Sequence, residues 1–339
     1  MISMSVLFWC TMKSDEKKVC IVLCSFNGEA YLAEQLESIL GQAEGYWDLV
    51  VRDDCSTDSS VEMLSLFRQR DGRIQVVSDN LGNLGAKENF MYLLSKCGVN
   101  KYDYFVLSDQ DDIWFPRKLN NQITLMKEME KTYPGKPVMV HSDMEVVDAG
   151  LEAIAPLFMR FQGIRNEGES PLNVLLAQNF VTGCTVMVNK RLLEIALPIP
   201  SEVLMHDWWL ALCAAVFGHI GFIDKPLLKY RQHDSNEVGA KHLNDYLNPC
   251  TGEWKRRWLE GRDNLFQSMR QAEALAEKIR EHDPQNPNLA LVESYASLQT
   301  LSRWQRVKKI HQLGVHVQSN SRQALLLSRL LLASKTKYD

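Results

Sequence analysis

Tyr104-Phe105-Val106-Leu107-Ser108-Asp109-Gln110-Asp111-Asp112-Ile113-Trp114 joins a short apolar run to a knot of carboxylates. The consecutive apolar residues Tyr104 to Leu107 predict a short buried strand. Aspartates crowded at a strand's end repel one another, so a cation normally sits among them. Oxygen ligands of this kind suit a hard divalent ion, Mg²⁺ or Mn²⁺, which completes its shell with water and a substrate's phosphates. A solvated acidic turn is the alternative for a bare Asp-x-Asp, and the rest of the chain reverses those odds.

Working outward, Val19 to Cys24 is a continuous apolar run, as expected of a strand covered on both faces of a parallel sheet. It ends in Ser25-Phe26-Asn27-Gly28, a turn signal. Leu32, Leu36, Ile39 and Leu40 recur at helical spacing. Asp48 to Val51 is a second strand, ending in Arg52-Asp53-Asp54. Ser59 and Glu62 are spaced as a capping box for the helix that follows. Ile74 to Val77 is a third strand, Asn80 to Gly85 a loop, and Ala86 to Cys97 a third helix. Strand alternating with helix over short connections implies an α/β fold with a doubly wound, mostly parallel, Rossmann-like sheet. Ligands of such sheets bind outside the carboxyl ends of the strands, where every polar cluster named so far lies.

Downstream, a helix through Leu119, Ile123 and Met126 ends near Tyr133-Pro134-Gly135. Strands are expected at Pro137–Asp143, Asn179–Val188 and Gly221–Asp224, with a loop around Gly163 to Pro171. Gly183 would let backbone approach a ligand closely. Met205-His206-Asp207-Trp208-Trp209 opens an apolar helix through Leu210, Ala214 and Val216. From Ala240 onward the pattern is helical and ends basic, with Arg322, Arg329, Lys335 and Lys337. The organisation expected is an extension over 1–17, an α/β domain over 18–239 and a helical region over 240–339. Leu325 to Leu332 fits either an interfacial helix at a cytoplasmic membrane face or an ordinary helix covering the α/β domain.

At 339 residues, 45% hydrophobic and 24% charged, the composition is that of a globular chain. A net charge of −4 argues against a dedicated nucleic-acid binder. The eight cysteines are scattered without a C-x-x-C pair and read as reduced thiols of a cytoplasmic protein. The apolar start, Met1 to Met12, lacks a basic leader and reads as neither a signal peptide nor a span. No G-x-G-x-x-G follows the first strand and no Walker loop is present, which disfavours dinucleotide and P-loop chemistry.

Asp54 sits where a carboxylate could accept the imide N–H of a pyrimidine, or could compensate a helix N-terminus. Asp207 lies at a helix start, as a cap or as a base in a partly dehydrated, tryptophan-lined cleft. His233, two residues after Arg231, is a candidate metal ligand or anion contact.

Taken together, Ser25-Phe26-Asn27-Gly28, Asp53-Asp54-x-Ser56-x-Asp58, Asn80-x-Gly82 and Ser108-Asp109-Gln110-Asp111-Asp112-Ile113-Trp114 closely resemble the family 2 inverting glycosyltransferases of GT-A fold. His206-Asp207 and Arg231-Gln-His233-x-x-Asn236-x-x-Gly239 extend the likeness. The Ser-Asp-Gln-Asp-Asp-Ile-Trp form looks most like bacterial rhamnosyltransferases of surface-polysaccharide synthesis. The resemblance implies a dTDP- or UDP-sugar donor, a saccharide or lipid-linked acceptor, and a Mg²⁺ or Mn²⁺ cofactor. It implies donor-nucleotide contacts at Ser25, Phe26, Asn27, Asp54, Asn80, Lys87, Asp109 and Arg231, metal ligands at Asp111, Asp109 and His233, and a general base at Asp207. Two departures stand out. Gln299 and Arg303-Trp304 miss the Q-x-x-R-W spacing of processive synthases by one residue, implying single-sugar addition, and Cys24 replaces a common hydroxyl.

Overall fold

The computed structural model describes residues 17–233 and 254–332. Residues 1–16 of the extension expected over 1–17, Asn236, Gly239, residues 240–253 and the basic Lys335 and Lys337 lie outside the described residues.

Among the described residues nine strands form one sheet. Strands β1 (Val19–Ser25), β2 (Trp47–Asp53), β3 (Ile74–Val77) and β4 (Tyr104–Ser108) are parallel in the order β3-β2-β1-β4. The order reverses at β1, which opens a crevice at the carboxyl ends of β1 and β4. Register places Ser25 beside Asp53 and Leu23 beside Ser108, so the polar strand ends meet there. Beyond β4, the sheet continues through β8 (Met187–Asn189), β6 (Val138–Val147), β9 (His219–Arg231) and β5 (Ile113–Trp114), with β7 (Ala153–Ala155) on β6. The long β6–β9 pairing is parallel, whereas the short pairings of β5, β7 and β8 are antiparallel.

Alternation along β1 explains its unbroken apolar run. Val19, Ile21 and Leu23 face one core, with Leu32, Leu36 and Ile39 of α1 (Leu32–Leu40), Leu64 of α2 (Ser60–Arg70) and Met126 of α4 (Lys118–Thr132). Cys20 and Val22 face the other, with Phe90 and Leu93 of α3 (Ala86–Lys96). That second core also takes in the short α5 (Phe158–Gln162) and α6 (Pro171–Leu175), α7 (Lys190–Ala196) and α8 (His206–Phe217). It extends without a break into α9 (Trp254–His282), α10 (Leu289–Ala296), α11 (Arg303–Gln312) and α12 (Asn320–Leu332). Met269, Leu275 and Ile279 of α9 and Leu330 of α12 are fully buried, each worth roughly 1.5–3 kcal/mol. Within Leu325 to Leu332, Leu326 and Leu330 are packed into this core. No helix among the described residues is long and apolar enough to cross a membrane.

Several local expectations change. Ser59 holds the N-cap position of α2, but its side chain caps nothing; Asp58 accepts from the Ser60 N–H at 3.0 Å instead. Residues 179–186 are loop and a 3-10 turn (Gly183–Thr185) rather than strand, because Thr185 donates through N and Oγ1 to the Thr182 carbonyl. Only Met187–Asn189 remains to pair between β4 and β6. Ile113-Trp114 forms an unexpected strand, placed by pairing with Lys229 and Leu228. The last strand runs well past Asp224, to Arg231. The described cysteines are unpaired thiols, as expected.

Candidate active site

The loop after β1 is stitched to the loop after β2. Ser56 Oγ accepts from the Asn27 N–H, Ser60 Oγ from the Gly28 N–H and Asp58 from the Glu29 N–H, each at 2.8–2.9 Å. Asp53 in turn holds Ser56 through its N–H and hydroxyl. Asn27, at φ 46, accepts from the Thr57 N–H. Gln110 clamps the other side, accepting from the Phe26 N–H and donating to the Phe26 carbonyl, both at 2.9 Å. Gly28 makes room for that clamp, since a Cβ there would lie 2.4 Å from Gln110 Oε1.

The floor beside this loop is an ion cluster. Arg52 is 1% exposed and donates to Asp79 at 2.8 and 3.0 Å, to Asp54 at 2.5 Å, to Asn89 and to the Gly82 carbonyl. The carboxylates hold Arg52 above its ordinary range, and Arg52 holds Asp79 below its own. Asp54, also 1% exposed, accepts from the Leu84 and Gly85 N–H groups and so fixes the loop into α3.

Ser25, Phe26, Asp54, Asp109, Asp111 and Asp207 line one cavity of about 1120 Å³. The Ser25 hydroxyl is buried in that wall without a hydrogen-bond partner. Asn27, Asn80 and Lys87, expected at the nucleotide, stand outside the wall. Asn27 is spent on the stitch and Asn80 is exposed. Lys87 Nζ donates to the Ser201 and Val203 carbonyls. Arg231, expected over a diphosphate, is also outside the cavity wall; its guanidinium pairs with Glu34 and donates to the Asp111 and Ala149 carbonyls. It braces the acidic loop from behind.

Two clusters could hold a metal ion. Asp109, Asp112 and Cys184 bring donor atoms within 4.8 Å of one another. Yet Asp112 is wholly buried with both oxygens unpartnered, and burial, then Asp111, raise its pKa. Burial likewise raises the Cys184 thiol. A thiol is a soft ligand, ill suited to a hard ion. Asp111 and His233 offer harder donors: Oδ2 and Nε2 are hydrogen-bonded to each other at 2.9 Å, and Asp111 lines the cavity together with Asp109. A carboxylate oxygen with an imidazole nitrogen suits Mn²⁺ or Mg²⁺ completed by phosphate oxygens.

Asp207 occupies the first turn of α8 and is 9% exposed. Its Oδ1 accepts from the Trp208 N–H at 2.6 Å. Burial outweighs this bond and lifts its pKa to about 6. Gly183 approaches this carboxylate: a Cβ there would lie 3.5 Å from Asp207 Cβ. His206, stacked on Phe90 at 4.2 Å, is lowered by burial to about 3 and so is neutral beside it.

The sequence profile of Glycosyl transferase family 2 matches residues 20–194, just over half of the chain. The chain belongs to glycosyl transferase family 2. The dTDP-rhamnosyl transferase RfbG of Shigella flexneri is 27% identical over 227 residues, 64% of this chain and 74% of that protein. Other curated relatives are matched over less than two thirds of their length. Among solved structures, S. aureus TarS 1–349 with UDP superposes at TM-score 0.51 and 16% identity, covering 92% of this chain and 87% of that one. The mannosyltransferase PcManGT of Pyrobaculum calidifontis, with GDP-Man and Mn²⁺, gives 0.50 and 14%, covering 94% and 88%. These likenesses establish the GT-A type of fold.

The far wall of the transferase's cavity was not legible in its motifs. Arg257, Trp258, Gly261 and Asn264 of α9 and Arg322 and Arg329 of α12 supply it. Asn83, which donates to the Asp54 carbonyl, lines the cavity in place of Asn80. The high share of arginine after residue 254 was the one available signal, and it does not say which face turns inward.

Proposed function

We propose that this glycosyltransferase moves one L-rhamnose from dTDP-L-rhamnose to a saccharide acceptor of surface-polysaccharide synthesis, with inversion. The observation carrying the reading is the single cavity shared by Asp54, Asp109, Asp111 and Asp207. The rhamnosyl assignment is supported by the Ser108 to Trp114 sequence and by the name of the Shigella relative.

The pyrimidine lies over the ends of β1 and β2, with Ser25 and Phe26 beside it and Asp54 accepting its imide N–H. Asp109 meets the ribose. Asp111 and His233 would hold the divalent ion, which would supply positive charge for the donor's diphosphate. Arg231 contributes by holding the Asp111 carbonyl and keeping the acidic loop in place. Asp207 takes the proton from the acceptor hydroxyl. That oxygen bonds to the anomeric carbon from the face opposite the diphosphate, and the carbon–oxygen bond to the nucleotide breaks. A β-linked donor thereby yields an α-rhamnoside. A carboxylate titrating near 6 in a dehydrated pocket is ionised at neutral pH yet basic enough to assist.

Incubation with Mn²⁺ and a panel of dTDP-rhamnose, UDP-hexoses and GDP-mannose, followed by donor hydrolysis, tests the donor. Selective turnover of a UDP or GDP sugar overturns the rhamnosyl assignment. Asp111→Ala is expected to weaken Mn²⁺-dependent dTDP binding at least tenfold by calorimetry; unchanged affinity removes Asp111 from the metal.

A further inference from the structure

Arg329 of α12 lines the same cavity, yet the donor reading leaves it without a task. Its Nε is buried with no hydrogen-bond acceptor. Burial alone depresses its pKa, with no carboxylate contributing. Arg329 as a whole is part-buried, and desolvating its guanidinium without a counter-charge carries a cost that a ligand's anion would offset. The side chain is also given a seat. At Gly261 of α9 a Cβ would lie 2.1, 2.2 and 2.7 Å from Arg329 Nη2, Cζ and Nη1, so only glycine lets the guanidinium rest there. The neighbouring Arg256 is paired with Glu260, and Arg322 donates to the Gln162 and Gly163 carbonyls, which ties α12 to the catalytic domain.

Sheet order places this seat. Asp54 follows β2, Asp109 and Asp111 follow β4, and Asp207 starts α8, beyond β4. Helix α9 packs on α8, the helix that Asp207 starts, and lines the same cavity. A base must touch the acceptor's hydroxyl, so the space beyond Asp207 belongs to the acceptor.

We propose that Arg329, seated on Gly261, binds an anionic group carried by the acceptor, a phosphate ester or a uronate carboxylate, in a subsite beyond Asp207. The guanidinium fork matches both anions bidentately. This rests on the transferase reading above and adds the acceptor's charge to it.

The test uses the full chain with the donor site filled by dTDP and Mn²⁺, and follows cavity tryptophans 208 and 258 by fluorescence. The probes are glycerol 3-phosphate, glucuronate and neutral methyl glucoside. One of the two anions is expected to bind, and which one identifies the source; the neutral glycoside is expected not to. Arg329→Met is expected to lose at least about tenfold in anion affinity, the scale of a charge-assisted hydrogen bond, with dTDP affinity unchanged and Tm equal or higher. Gly261→Ala, which displaces the guanidinium while keeping it, is expected to lose affinity likewise. Anion affinity unchanged in Arg329→Met, no anion binding while dTDP binds, or a lowered Tm in Arg329→Met each overturns the subsite. Failure of dTDP itself to bind overturns the dTDP-donor reading instead.

Discussion

Replacing Asp207 by asparagine separates the proposed base from the fold that holds it. The carboxyl is lifted from an ordinary 3.8 to about 6 by burial, so the folded chain binds its proton ~3 kcal/mol more tightly than the unfolded chain does. The sign follows directly. Well below pH 4 both states are protonated and folding bears no penalty; as pH rises from about 4 to about 6 the unfolded chain ionises first, and up to ~3 kcal/mol of stability is lost, the loss being complete above 6. Asparagine cannot ionise, and its carbonyl can still accept from the Trp208 N–H. Asp207→Asn should therefore gain up to ~3 kcal/mol over the parent in urea unfolding at pH 8 and only about half of that at pH 5. Turnover should fall by roughly 10²–10⁴, with dTDP affinity unchanged, because the proposed base acts on the acceptor hydroxyl and not on the nucleotide. In the parent, kcat/KM should rise with pH and level off above about 6. An equal stability change at both pH values refutes the argument from burial. Turnover within about tenfold of the parent refutes the role of base.

Arg52→Ala leaves Asp54 and Asp79 facing each other without their shared guanidinium, and removing one partner of a buried ion pair costs about 3–5 kcal/mol. The loss should show in urea unfolding at pH 7 and shrink in acid as the carboxylates take up protons; a loss under 1 kcal/mol contradicts the cluster's role. Gly28→Ala drives a methyl into Gln110, whose Oε1 would be 2.4 Å away. Nucleotide affinity should fall, and Gly28→Ala with Gln110→Ala should recover part of it; no recovery argues that the clamp is irrelevant.

Much of the site's placement was legible because parallel α/β sheets put their binding crevice at strand ends, and apolar runs mark strands. Asp54, Asp109, Asp111 and Asp207 could be named from that rule and the family likeness. Their neighbours could not be sorted. Asn27, Asp53, Ser56 and Asp58 carry the same polar chemistry, yet they bond one another across two loops rather than facing the cavity. Asp112 lies beside Asp111 but is sealed in the core, because its neighbours Ile113 and Trp114 pair with β9. The strand expected over 179–188 failed because apolar Phe180 and Val181 are buried by packing in a loop, a use of apolar residues that leaves no period to read.

The amino-acid order by itself determined the alternating strands and helices, the acidic strand end and the family, because each is written in local periodicity or contiguous motif. Which polar groups face the cavity was decided by partners far along the chain: Gln110 reaches Phe26 across 84 positions and Arg231 reaches Asp111 across 120. Only folding closed the cavity's far side with α9 and α12 and set Arg329 on Gly261. Local pattern fixes backbone conformation, but desolvation and hydrogen bonding between distant segments fix what each side chain does.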